Sequence, residues 1–210
     1  MVAYQLVLFD IDGTLVDSFA AYRQTMQAIL PAFHQSATVA ALRETFSMSI
    51  DDEMAALKIP VNQKSRLLAA YDRETKRANH REPLFPGIID MLDQLRRHRI
   101  QVGVVTSRLD ADITNLDPNV FLNRMAIIVT ADQVPYPKPD PRPLQFALDQ
   151  LSVQPQESLY VGDAGNDEVA AKAANVDFGA ALWGNSEAPF LRPNYHFYHP
   201  KDVIDIALSK

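Results

Sequence analysis

Two aspartates separated by one residue, Asp10 and Asp12, stand directly after the apolar run Leu6, Val7, Leu8 and Phe9 and directly before Gly13 and Thr14. In extended chain, residues i and i+2 point to the same side. The two carboxylates can therefore converge on one phosphoryl group while Ile11 turns into the core. One acid then attacks phosphorus, and the other delivers and removes protons. Two acids alone repel a phosphate dianion, so the arrangement calls for a hard cation such as Mg²⁺, bound through oxygen. Gly13 allows a bend that turns the Asp12 carbonyl towards such a metal. Asp and Gly are also ordinary turn residues, so the pair by itself is equally compatible with an acidic turn after a core strand.

Three further stretches carry polar groups at the ends of apolar runs. Ile100 to Val105 leads into Thr106, Ser107 and Arg108, and a small hydroxyl such as that of Thr106 donates to a phosphoryl oxygen without adding charge. Lys138 lies among prolines at 135, 137, 139, 141 and 143. Proline fixes φ and restricts its predecessor, and rigid placement is what an electrostatic catalyst requires. Leu159 to Val161 ends in Gly162 and Asp163, with Asp167 four residues on.

The string DIDGTL resembles the first motif of the haloacid dehalogenase superfamily, and Thr106, Lys138 within KPDP, and GDAGND resemble its second, third and fourth motifs, in the order that superfamily requires. The resemblance implies an Asp10 nucleophile, Asp12 as acid and base, and Thr106 and Lys138 as partners of the phosphoryl group. It also implies Mg²⁺ held by Asp10, the Asp12 carbonyl and Asp163. Asp167 is then either a further ligand or an acceptor that orients Lys138 or a metal water. The run from Val161 to Asn175 and the later Trp183-Gly184 are most similar to the phosphoglycolate phosphatase and pyrophosphatase branch. Ser107 departs from that branch, which places Asn there, and Arg108 beside it reads as a surface residue, with substrate contact as the alternative.

Positioning these groups requires a sheet. Continuous apolar runs read as strands buried on both faces, and ligands of open α/β sheets bind at the carboxyl ends of strands. The expected runs are Leu6–Phe9, 100–105, Met125–Thr130, Leu159–Val161 and Phe178–Trp183, with Tyr195–Tyr198 closing the sheet edge. The implied fold is α/β, a doubly wound parallel sheet. From Asp17 to Glu82 the period becomes helical, with stripes at Phe19, Tyr22, Met26 and Ile29, at Val39, Leu42 and Phe46, and at Leu68, Tyr71, Thr75 and Ala78. Residues 17–82 are expected to form an all-helical cap of the C1 type, inserted into a catalytic core of 1–16 and 83–210. Tyr22 is expected to pack rather than to touch substrate. Arg43, Lys76, Arg77, His80 and Arg81 read as a solvated face. Thr45 to Asp51 lacks the Gly-centred loop of many relatives.

The 210 residues carry a formal charge of −6 and no cysteine. Disulfides and thiolate metal sites are excluded, and an acidic chain is a poor match for a nucleic-acid backbone. The insert holds nine Lys or Arg against eight Asp or Glu, leaving 11 against 18 in the remainder, so the acidity belongs to the body. No apolar run reaches membrane-spanning length, and the first residues enter a strand without a signal-peptide pattern. A cytoplasmic enzyme for a small phosphorylated metabolite, monomeric or homodimeric, is expected. His196 and His199 read as structural or surface residues. A sugar-phosphate mutase would carry His where Tyr22 falls. A pyrophosphatase would use the same motifs. A receiver-type phosphoacceptor, the non-enzymatic alternative, would place its aspartate on a middle strand of a shorter chain without an insert.

Overall fold

The computed structural model describes residues 4–46, 48, 50–78, 82–113, 121–184 and 192–209. The chain divides into two compact units, Met1–Val16 with Leu84–Lys210, and Asp17–Pro83. His80, Arg81, Ser47 and Ser49 lie outside the described residues.

The first unit begins with β1 (Leu6–Phe9), four residues of which none is exposed. After the helical unit come α5 (Ile88–Arg97), β2 (Gln101–Val105), the short α6 (Asp110–Ile113) and β3 (Ile127–Val129). Then follow α7 (Arg142–Leu151), β4 (Ser158–Gly162), α8 (Gly165–Ala173), β5 (Asp177–Ala181), β6 (Tyr195–Phe197) and α9 (Pro200–Ser209). The six strands form one sheet in the order β3-β2-β1-β4-β5-β6, and every pairing is parallel. The chain winds outward from β1 through β2 and β3, then returns to the other side of β1 as β4. That reversal lies between β1 and β4, where Phe9 pairs with Val161 in register. Open sheets bind ligands at such a point.

Alternation within β1 serves both faces. Val7 and Phe9 join Met91, Leu92 and Leu95 of α5 and Val203 of α9 in one core, and Leu6 and Leu8 join Leu144 and Leu148 of α7 and Ala170 and Ala171 of α8 in the other. Helices on both faces explain why the strands read as unbroken apolar runs. The alanines of α8 let it lie close to the sheet. β5 stops at Ala181, two residues short of the expected Trp183, because Leu182–Gly184 turns away.

The second unit contains α1 (Phe19–Ile29), α2 (Val39–Thr45), α3 (Ile50–Ala56) and α4 (Lys64–Ala78), and no strand among its described residues. Phe19, Tyr22, Met26 and Ile29 are buried with Leu42, Met54 and Leu57, along the expected stripes. Two expectations need correction. Val39 is half exposed, as the first residue of α2 after the Thr38 cap, whose hydroxyl accepts from the Ala41 N–H. In α4 the buried residues are Leu67 and Ala70, with the expected Tyr71 partly buried beside them, while Leu68 is 49% exposed. Both frames obey helical spacing, and the small Ala70 lets α4 lie against α1.

Tyr22 packs as expected, against Phe19, Phe46 and Tyr71. Its hydroxyl donates to Glu53 Oε1 at 2.6 Å and lies 2.8 Å from Thr45 Oγ1. Arg43 stacks on the Phe19 ring, 3.3 Å from its centroid. Lys76 and Arg77 pair with Asp72 and Glu74 of their own helix.

Candidate active site

The candidate site is assembled from strand ends and the loops that follow them. Asp10 is the first residue beyond β1, held there by its N–H donating to the Val161 carbonyl. Lys138 comes from the proline-rich loop between β3 and α7, and its side chain is only 3% exposed. Its ammonium donates to Asp10 Oδ1 at 2.8 Å, to Asp167 Oδ1 at 2.6 Å and to the Tyr160 hydroxyl at 2.8 Å. All three ammonium hydrogens are thereby used. Asp163 follows β4 directly, and one carboxylate oxygen from each of Asp10, Asp163 and Asp167 lies within 4.8 Å of the others.

Asp167 is fixed at both oxygens. Oδ2 accepts the Ala164 N–H at 3.1 Å, as the third residue of α8 reaching back to its cap, while Oδ1 takes Lys138 and Tyr160. The amino terminus of a helix also favours a negative charge. Of the two readings left open for Asp167, the contact with Lys138 is made directly.

Burial pushes the Asp10 carboxyl up, to about 7, with Asp167 and Asp12 acting in the same direction and Lys138 against them. Burial also raises Asp163 well above the ordinary carboxylate range, reinforced by Asp167, Asp10 and Asp12. For Lys138, burial favours the neutral amine, but Asp10 and Asp167 outweigh it and hold the group above the usual lysine range. Lys138 thus brings one positive charge to three clustered carboxylates. Buried anions in excess are costly without a counter-charge, and an all-oxygen donor set suits a hard divalent ion. Glycine at 13 is part of the fit. A Cβ there would stand 2.1 Å from Asp163 Oδ2, and its φ of +72° lies in the left-handed region that glycine tolerates. The residues present fit a divalent cation.

Thr106 caps the carboxyl end of β2, buried, with its N–H on the Val129 carbonyl and its hydroxyl accepting from the Arg108 N–H at 3.2 Å. The Asp12 carboxylate is not part of the three-acid cluster. Arg108 holds it in a two-pronged pair, Nε to Oδ2 at 2.8 Å and a terminal nitrogen to Oδ1 at 2.6 Å.

Two residues at the site, Tyr160 and Trp183, were not assigned a role from sequence, and a third, Arg108, is placed differently from its expected surface position. Tyr160 is fully buried in β4, and its hydroxyl lies 2.9 Å from both the Val105 carbonyl and Asp167 Oδ1. The signal was available, since a tyrosine in a strand covered on both faces must find a partner for its hydroxyl. Trp183 donates its indole N–H to the Thr14 carbonyl at 2.8 Å. A Cβ on the adjacent Gly184 would lie 2.2 Å from the Gly13 carbonyl oxygen. The Trp-Gly turn after β5 thus braces the loop that carries Asp12. Arg108, expected at the surface, is instead 14% exposed and drawn into the pair with Asp12, because nothing in the local pattern ties it to a residue so distant in the chain.

An open parallel sheet that gathers acids and a buried lysine at its switch point, with a threonine ending the neighbouring strand, has the layout of an α/β enzyme that binds its ligand at strand ends. Known proteins narrow this. The haloacid dehalogenase-like hydrolase family matches over residues 7–181. A crystal structure of a candidate phosphoglycolate phosphatase from Lactobacillus plantarum superposes with a TM-score of 0.91 at 34% identity, covering 98% of this chain and 100% of that one. Pyrophosphatase PpaX of Oceanobacillus iheyensis is 25% identical, over 96% of this chain and 95% of its own. Phosphoglycolate phosphatase 1 of Pseudomonas aeruginosa is 27% identical, over 86% of this chain and 70% of its own. The chain belongs to the haloacid dehalogenase-like hydrolases. No described helix is long and apolar enough to cross a membrane.

Proposed function

We propose that this protein is a Mg²⁺-dependent phosphatase for a small phosphorylated metabolite, phosphoglycolate first among the candidates, acting through a phosphoryl group carried on Asp10. The observation that carries the reading is the buried Lys138 ammonium, bonded at once to Asp10 and Asp167 beside Asp163. The relatives named for phosphoglycolate and pyrophosphate support the substrate class.

In this reading Lys138 occupies one oxygen of Asp10 and aims the other at phosphorus. An Asp10 oxygen forms a bond to phosphorus as the ester P–O bond breaks, and Asp12 gives its proton to the departing oxygen. Asp12 then takes a proton from a water, whose oxygen attacks phosphorus and releases phosphate and the Asp10 carboxylate. Thr106 donates to a phosphoryl oxygen, and Lys138 neutralises charge on another. Asp10, Asp163 and the Asp12 carbonyl would hold Mg²⁺, with Asp167 alongside; when bound, the ion supplies positive charge for the phosphoryl oxygens. Residues 17–82 act as the cap that excludes water and selects the leaving group. The enzyme is read as cytoplasmic and as a monomer or homodimer.

A second reading, hydrolysis of pyrophosphate, uses the same residues with phosphate as the leaving group, and the Oceanobacillus relative favours it. The test is phosphate release from 2-phosphoglycolate, pyrophosphate and hexose phosphates with Mg²⁺, beside Asp10→Asn. Wild-type turnover lost at least 10³-fold in the variant is expected, since removing a nucleophile leaves only binding and electrostatic effects. Equal turnover by both proteins would falsify the assignment of Asp10.

A further inference from the structure

Arg108 and Asp12 are joined although 96 positions separate them, and neither side chain is fully buried, at 14% and 32% exposure. The backbone of Arg108 is anchored at both of its polar atoms: its N–H donates to Thr106 Oγ1, and its carbonyl accepts the Ala131 N–H at 2.9 Å. The guanidinium can therefore change partner while the chain beneath it stays in place. Its fork matches any planar or tetrahedral oxyanion, carboxylate and phosphoryl alike. While the fork is closed on Asp12, both oxygens of that carboxylate are engaged. A group that must reach the leaving oxygen is thus held by a cation that recognises anions.

We propose that Arg108 is a specificity-determining residue, an exchangeable clamp that leaves Asp12 for an anionic group on the leaving side of the substrate and so frees Asp12 at the ester oxygen. The inference rests on the phosphatase reading above and deepens it. It assigns the substrate class: small phosphoesters or anhydrides whose leaving group carries a carboxylate or second phosphoryl a few bonds from the bridging oxygen. That distance follows from the fork's own position, 2.6 Å from the carboxylate meant to face the bridging oxygen. A neutral leaving group offers the guanidinium nothing in exchange for Asp12. Thr106, bonded to the Arg108 N–H, keeps the clamp in register with the phosphoryl pocket.

The test compares 2-phosphoglycolate with ethyl phosphate, which differ in the leaving-side anion. The ratio of their kcat/KM values is measured for wild type, Arg108→Ala and Arg108→Lys. A two-pronged charge-assisted pair corresponds to a preference of about 10- to 100-fold, so the ratio should fall by that factor in Arg108→Ala, and by less in Arg108→Lys, which keeps charge but not the fork. In the Asp10→Asn background, calorimetric titration of 2-phosphoglycolate should show at least about 10-fold weaker binding on adding Arg108→Ala. If both substrates lose activity by one factor, Arg108 merely holds Asp12 and the clamp is overturned. Were Arg108→Ala to fold poorly, Arg108→Lys still decides, because an unchanged ratio there, together with unchanged binding, sinks the exchange. A different failure, wild type releasing phosphate from neither compound nor from pyrophosphate or hexose phosphates, would remove the phosphatase reading itself.

Discussion

Replacing Lys138 by methionine removes a cation from a buried site where it is bonded directly to two carboxylates. The side-chain exposures are 3% for Lys138, 10% for Asp10 and 1% for Asp167, so solvent cannot compensate. Deleting one partner of a buried pair costs about 3–5 kcal/mol, because the charge left behind is uncompensated. Methionine refills most of the volume, which leaves electrostatics as the main loss. Against a total stability of about 5–15 kcal/mol, that is a large fraction. Urea unfolding at neutral pH with chelator present should show it. Asp10→Asn in the Lys138→Met background should recover part of the loss, because one of the two stranded anions is gone. The pair of variants should therefore be non-additive by about 1–3 kcal/mol, within the range seen for residues in one ion-pair network. Phosphatase activity of Lys138→Met should fall about 10²- to 10³-fold. An additive cycle, or a Lys138→Met protein as stable as wild type, would refute the view that this lysine neutralises buried acids.

Tyr160→Phe deletes a hydroxyl on which Lys138 and the Val105 carbonyl both depend; a loss of about 1–3 kcal/mol in unfolding free energy is expected, and no loss would mean the network closes without it. Gly184→Ala pushes a methyl against the Gly13 carbonyl, so stability should drop by about 1–3 kcal/mol and kcat should fall more than KM rises, measured by unfolding and steady-state assay. Burial raises the Glu53 carboxyl above its usual 4.5, partly offset by the Tyr22 hydrogen bond. A raised folded value means that this group's stabilising effect is complete below about 4.5 and is lost as pH climbs through the folded value. Glu53→Gln should therefore gain stability relative to wild type as pH rises from 4.5, and a pH-independent difference would contradict the sign.

The strands were legible because a parallel sheet covered on both faces demands unbroken apolar runs, and Leu6–Phe9 or Leu159–Val161 have no other economical place. The polar residues ending those runs were legible for the same reason. Placement of Lys138 against Asp10 and Asp167 was implied by resemblance, whereas the distances and the fully used ammonium are properties of the folded chain. Tyr160 was hidden by its apolar ring, since it reads as one more core residue in a strand. Trp183 and Arg108 act on Thr14 and Asp12 across the sheet, and no local period encodes a pairing that distant. The frame error in α4 has a simple cause: Leu67 and Leu68 are neighbours of equal hydrophobicity, and only the small Ala70 at i+3 from Leu67 distinguishes the side that α1 accepts.

Val16 and Leu84 stand opposite one another as an antiparallel bridge, and the Phe85 N–H donates to the Leu15 carbonyl. The Asp17 N–H likewise donates to the Pro83 carbonyl, so the helical unit begins and ends as neighbours. Opposed residues of this kind are what a two-residue hairpin joins. A short turn would therefore satisfy the sheet-bearing unit as well as the long excursion does, and the closure cost of a longer excursion grows only logarithmically. The junction behaves as a socket: the length of chain plugged in there can change while the strands around it need not move.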